Sequence, residues 1–321
     1  MITTVLLMAS CARENSVESA IKALETPIEL NRFEAVFGDS GPSDLEALKL
    51  EYPFFFPSQT PDSIWRLKLQ DSLEKDIVNE ISTRFATQKD LKKDLTHLFA
   101  HYRHLLGQRS DIEIQPPEVY TLSMLSSGLD VQNRVVTTDS LWLIALDHYL
   151  GPDHEYYRSF PRYIRQELNP DYIVSDVAAA LVGQLLPSSA NGYFLNKMVL
   201  AGKKIFLQSF LWPHKPLAHH LKYTEDQYRW ALDNEAEVWR YFMEREYLYS
   251  TETDLEYRFL YPAPFSKFQL ALDSESPPRI AQFIGFQMAK AYFESHDKNI
   301  QQLIAVPPLE LLKEATYKPK K

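Results

Sequence analysis

The sequence predicts an α+β fold, predominantly α-helical with a small β-sheet, and three observations carry that prediction. Apolar residues recur at helical spacing between Leu69 and Leu105, and the chain again reads as helical from about residue 150 to its end. Between those stretches, short segments within 119–146 have strand composition. Only 9 Gly stand against 20 Pro, which argues against a Gly-rich phosphate-binding architecture and against flexible linkers.

The elements follow in order. Residues 1–10 read as a signal peptide, 11–26 as a tether and 27–321 as one globular domain. Ile28 to Phe37 fits a strand or a short helix, and Gly38-Asp39-Ser40-Gly41-Pro42 is a turn cluster. Tyr52-Pro53-Phe54-Phe55-Phe56-Pro57 is an aromatic loop fenced by prolines, which the body or a partner must cover. A helix starts at Thr60-Pro61-Asp62, with Thr60 as N-cap, and Leu69, Leu73, Ile77, Ile81 and Phe85 give it one apolar face. A second helix turns Leu91, Leu95, Leu98, Tyr102 and Leu105 inward, and Pro116-Pro117 closes this half.

Val119–Met124 and Arg134–Thr137 have strand composition and are joined through Ser126-Ser127-Gly128, and the apolar run Leu141–Leu146 fits a buried third strand or a helix start. Later, Thr224 and Gln227 form a capping box that opens a long aromatic-rich helix to about Leu248. Ser276-Pro277-Pro278 opens another, with Ile280, Phe283, Ile284, Met288, Ala291 and Tyr292 inward.

Charge and cysteine usage exclude several classes of function. A net charge of −9 leaves no electrostatic footprint for nucleic acid. A single cysteine forbids an internal disulfide and a Cys-rich zinc site. That cysteine closes a short apolar run, Val5-Leu6-Leu7-Met8-Ala9-Ser10-Cys11, the shape of an h-region followed by a small-residue cleavage site. Met8-Ala9-Ser10-Cys11 resembles a bacterial lipobox, with lipid on Cys11 as the only membrane anchor. No Lys or Arg precedes the run, which suggests a true translation start further upstream. The alternative is a buried apolar N-terminal strand carrying an incidental cysteine. No later stretch reaches the ~18–20 apolar residues of a membrane helix.

Candidate chemistry is sparse. His97, His101 and His104 lie on one helix at metal-binding spacing, but Leu98 stands where a zinc peptidase carries its general-base Glu. His148 and His154 flank a charged turn, and His219-His220 read as loop residues. The long helix holds Asn234, Glu235, Glu237, Arg240 and Glu244; Arg240 can pair with Glu237 and Glu244 along one face. There is no Gly-x-Ser-x-Gly elbow, Walker loop or dinucleotide fingerprint.

Several segments read in order carry a resemblance. They include Tyr52–Pro57 with Pro61-Asp62-Ser63, Leu146-Asp147 through His154, Ser175-Asp176-Val177, Gly202-Lys203, Asn234-Glu235 through Phe242, Ala263–Phe268 and Tyr317-Lys318-Pro319. Together they are similar to the gliding-motility lipoprotein B family of Bacteroidota. The resemblance implies a periplasm-facing lipoprotein of the cell envelope, needed for gliding and tied to the type IX secretion machinery. A more distant similarity is to gluzincin-type zinc peptidases. The helix that would hold their metal here reads Phe194-Leu195-Asn196-Lys197-Met198-Val199-Leu200-Ala201-Gly202-Lys203, with no His and no Glu. A shared fold would therefore be a degenerate, non-catalytic version, needing no metal and no cofactor.

The expected function is protein–protein contact with other envelope proteins of the motility and secretion apparatus. The expected docking cleft lies between the helix carrying Lys203 and the helix carrying Asn234, Glu235, Arg240 and Glu244. Two other readings compete: an envelope hydrolase, metal-dependent through His97, His101 or His154, and a peptide- or glycan-binding module using Phe54–Phe56.

Overall fold

The computed structural model describes residues 17–107, 114–124, 128, 130–131, 133–187, 192–271, 273–295 and 299–319. Cys11, the expected signal peptide and the Ser126-Ser127 connection lie outside them.

A four-stranded sheet forms one side of the core: β1 (Leu30–Arg32), β2 (Glu118–Leu122), β3 (Val135–Thr137) and β4 (Leu141–Ala145), in the order β1-β2-β4-β3. β1 and β2 run parallel, as do β2 and β4; β3 is antiparallel to β4, with Val136 opposite Leu143. Val119, Tyr120 and Thr121 are successively buried, as a central strand covered on both faces requires. The two expected strands are present, and the apolar run from Leu141 is a strand rather than a helix start. The fourth comes from the segment that fitted strand or helix, which supplies both: β1 runs directly into α1 (Phe33–Asp39). A parallel β1–β2 pair needs a crossover. α1, α2 (Leu45–Glu51), α3 (Asp62–Lys68), α4 (Ser72–Arg84) and α5 (Lys89–Gly107) provide it.

The helix expected from Pro61 to Phe85 is two helices. The Asp71 side chain accepts from Leu73 N at 2.9 Å and caps α4, so the four-residue apolar spacing runs across a break. Leu69 then joins a satellite core with Phe37, Leu45, Leu48 and Phe56, while Leu73 is exposed. The aromatic loop lies on this lobe. Phe55 stacks on Phe33 with centroids 3.9 Å apart, and Tyr120 meets Phe54 and Phe55 edge-on. Of its rings only Phe54 stays about half exposed, which removes most of the aromatic surface a ligand-binding loop would offer.

The expected tether is docked from residue 17 on. Ile21 is buried, and Arg103 Nη1 donates to Leu24 O and Thr26 Oγ1 at 3.0 and 2.9 Å.

The C-terminal half is helical: α6 (Ile173–Leu185), α7 (Phe194–Leu211), α8 (Glu225–Asp233), α9 (Glu235–Glu244), α10 (Asp254–Phe259), α11 (Ile280–Glu294), α12 (Ile300–Ala305) and α13 (Pro308–Ala315). α7 and α11 cross in backbone contact at two glycines. A Cβ on Gly202 would lie 1.9 Å from the Gly285 carbonyl carbon, and one on Gly285 2.0 Å from Met198 O. No other residue fits either position without moving a helix. The long helix expected over 225–248 is interrupted at Asn234, whose Nδ2 donates to Trp230 O at 2.8 Å while its own backbone leaves helical geometry. The Thr224–Gln227 capping box is present. No helix among the described residues is long and apolar enough to cross a membrane.

Candidate docking groove

The residues expected to form one cleft fall into two environments. Lys203 is buried: its Nζ donates to Val306 O at 2.5 Å and Ile304 O at 3.4 Å, closing the C-terminal end of α12. Burial lowers its pKa to about 8. Glu235 is also buried, accepting from Gln287 Nε2 at 3.1 Å and Tyr317 OH at 2.8 Å. Both groups spend their hydrogen bonds fastening the C-terminal segment to the helices, so neither lines a cleft. Asn234, Arg240 and Glu244 do come together, around a recess of about 350 Å³ walled by Trp230, Tyr241, Phe268 and Leu270. There Arg240 pairs with Glu237, and with Glu244 at 3.9 Å, all well exposed.

A different and deeper set of charges lies elsewhere. Asp176, on α6, accepts from Arg134 Nη2 at 2.6 Å, Lys222 Nζ at 2.9 Å and Tyr149 OH at 2.9 Å. Glu167 accepts from Lys222 Nζ at 3.1 Å and from Arg279 Nη2, with Arg134 Nη2 at 3.8 Å. The result is a continuous chain, Arg279–Glu167–Lys222–Asp176–Arg134, with every side chain nearly buried. Burial alone would raise the Glu167 carboxyl; Lys222, Arg279 and Arg134 overcome it and hold the pKa at about 2. Burial and the Asp176 charge push the Tyr149 hydroxyl up, so it stays a donor.

Each member arrives from a separate element. Arg134 is fixed beside the sheet by Ala145 N donating to its carbonyl at 2.9 Å. Glu167 follows the short helix Arg162–Arg165, and Lys222 follows the short helix Leu217–His220. Arg279 caps α11. Lys222 and Arg279 both have φ of 57°, a left-handed conformation that costs a non-glycine residue on the order of 1 kcal/mol. Their backbones are held there by the surrounding fold, and their cations meet at Glu167.

All five line the inner part of a cavity of about 700 Å³. Leu260, Tyr261 and Gln282 also border a second hollow of about 640 Å³, reaching Lys197, Lys204 and Glu256. The two make one groove between α6, α7, α10 and α11, lined by small residues such as Ala180, Gly183 and Ala201. Tyr261 borders both hollows. Tyr257 and Tyr261 meet edge-on, and Tyr261 OH donates to Glu256, which also pairs with Lys197. Tyr193 and Tyr249 form another edge-on pair, where Phe194 N donates to Ser250 O. All four tyrosines are more than 40% exposed, the residue type enriched where proteins meet.

His97, His101, His104 and His214 neighbour one another, and the other histidines lie in separate settings. His97 pairs with Glu25 at 3.0 Å, His154 with Glu80 at 3.4 Å and His148 with Asp147 at 3.0 Å. His101 is buried, and burial lowers its pKa to about 4. His219 and His220 sit on a short helix rather than a loop; His220 Nε2 faces Trp212 O and His219 Nε2 faces Ser175 Oγ, each at 3.0 Å. Among the described residues, no group of three or more His, Cys, Asp or Glu is placed to hold a metal ion.

Sequence reading reached this site only through Asp176, in the Ser175-Asp176-Val177 segment. Two local signals mark it. Asp176 interrupts the apolar run Ile173–Leu181, and Arg279 places a cation at a helix N-terminus, where the dipole disfavours it.

A family model described as gliding motility protein GldB matches residues 14–319, the whole of the helical half and the sheet, beginning three residues after Cys11. No curated protein and no solved structure matches the chain.

Proposed function

The chain belongs to the gliding motility protein GldB family, and from that membership we propose a non-catalytic envelope lipoprotein that supports gliding and the associated type IX secretion machinery by docking other envelope proteins. The observation that carries the docking site is the groove itself, a buried charge network continuous with a rim that carries the exposed Tyr261. Exposed aromatics beside fixed charges supply contact area at the rim and orientation at the inner end. Lipid on Cys11 would hold the protein at the membrane with its body in the periplasm. A Cys11→Ala protein that still partitions into detergent phase contradicts the anchor.

The docking reading is tested by colony spreading in a strain deleted for its own family member. Tyr261→Ala with Lys204→Glu, at normal protein level and melting temperature, abolishes spreading. Arg240→Ala with Glu244→Ala leaves it intact. Full spreading by the groove variant removes the groove from the function.

One contact favours a hydrolase instead, the Ser175–His219 pair at nucleophile–base distance. Against it, Ser175 is 1% exposed and lies outside the groove lining, so a substrate has no path to its hydroxyl. Labelling of Ser175 by a fluorophosphonate probe would revive that reading.

A further inference from the structure

We propose that the inner end of the groove binds a carboxylate, presented by an acidic side chain of an extended peptide segment; this deepens the docking reading and rests on it for the choice of a peptide. Three observations converge. The buried network holds three cations, Arg134, Lys222 and Arg279, against two carboxylates, Glu167 and Asp176, an excess of one positive charge. Asp130 also borders the cavity but is exposed at its edge and accepts from Asn133 N and Nδ2. A desolvated net charge is costly without a counter-charge, and the two acids are already engaged by the cations on both oxygens.

The unfilled donor is on one of the cations. Arg279 is nine-tenths buried, its Nη2 meets Glu167, and its Nε has no partner. It also stands at the N-terminus of the 15-residue α11, whose dipole adds positive potential at the same end of the cavity. A cation on a helix N-terminus, in a left-handed backbone conformation, breaks two local rules at once, a pattern expected where function sets the residue.

Charge arithmetic selects the ligand. One carboxylate balances the excess, whereas a phosphate brings about −1.5 to −2 and over-compensates it. The groove then runs past Tyr261 and Gln282 to Lys204, which has no ion-pair partner among the described residues. Two basic points along one groove fit an acidic stretch better than a single chain terminus.

The test is the Nε–Hε correlation spectrum of arginine in the purified full-length protein, titrated with an acetylated, amidated tetraglutamate. Parallel titrations use the tetraglutamine analogue, acetyl-glycyl-alanine with a free terminus, and inorganic phosphate. Arg279 and Arg134 signals shift saturably with tetraglutamate, at least about tenfold more tightly than with each of the others. Arg279→Gln weakens binding by about tenfold or more. Where Arg279→Gln does not fold, Arg279→Lys keeps the charge but loses the planar fork, and weakens it by a smaller factor. No saturable shift to about 10 mM, tighter binding of phosphate or of the free terminus, or no loss in either variant overturns the assignment. Peptide binding by a protein whose rim variant still spreads would leave this site standing and remove the docking reading. Lost spreading with no peptide binding would do the reverse.

Discussion

The molecule carries two sets of paired charges, and they differ in almost everything but chemistry. On α9, Arg240 meets Glu237 and Glu244 at helical spacing, all on the surface. At the inner groove, Arg134, Lys222 and Arg279 meet Glu167 and Asp176 from five separate segments, nearly out of water. The surface pairs are screened, and holding long side chains together offsets most of their attraction. The buried set has lost its hydration, so each member depends on the others. Spacing visible in a sequence is therefore a poor guide to which charges matter; burial decides, and burial is a property of the fold.

The comparison can be broken by substitution. Asp176→Ala leaves Arg134, Lys222 and the Tyr149 hydroxyl short of a partner, and is expected to cost about 3–5 kcal/mol in urea denaturation. A cost near that of a surface pair would show that water enters the network freely.

Acid is expected to act next most strongly, in two stages. Burial holds His101 and His220 at about 4, below their ordinary 6.5. The unfolded chain therefore binds protons that the folded chain does not, and stability falls as pH drops from 6.5 towards 4. Glu167, held at about 2 against an ordinary 4.5, contributes stability that is present above 4.5 and lost as pH falls towards 2. In urea midpoints against pH, Glu167→Gln removes the lower stage and leaves the upper one.

Tyr317→Phe removes one of two donors to buried Glu235, and is expected to cost about 1–2 kcal/mol while loosening the C-terminal segment in hydrogen exchange. Smallest of all, Arg240→Ala with Glu244→Ala is expected to stay within about 0.5 kcal/mol of the parent. A larger loss would place the α9 recess on the same footing as the groove.

How much of this was legible follows from the range over which each feature is encoded. The α+β class, the capping box at Thr224 and the strands near 119–146 are local patterns, and each is present. The breaks at Asp71 and Asn234 were missed because side-chain caps interrupt an apolar spacing that continues across them. Lys203 and Glu235 read as charges of an open cleft because nothing local announces the carbonyls of Ile304 and Val306, or Tyr317, that cover them. The charge network was illegible as a set, since tertiary folding alone brings its five segments together. Asp176 in an apolar helix and Arg279 at a helix N-terminus are the two members with a readable signature.

The groove rather than the α9 recess is the face proposed to meet a partner. Site-specific photocrosslinking in intact cells compares the two directly, with Tyr261→p-benzoylphenylalanine on the groove rim and Arg240→p-benzoylphenylalanine at the recess. A discrete crosslinked envelope protein is expected from position 261, lost on Arg279→Gln, and none from position 240. Crosslinking from 240 and not from 261 would contradict that proposal.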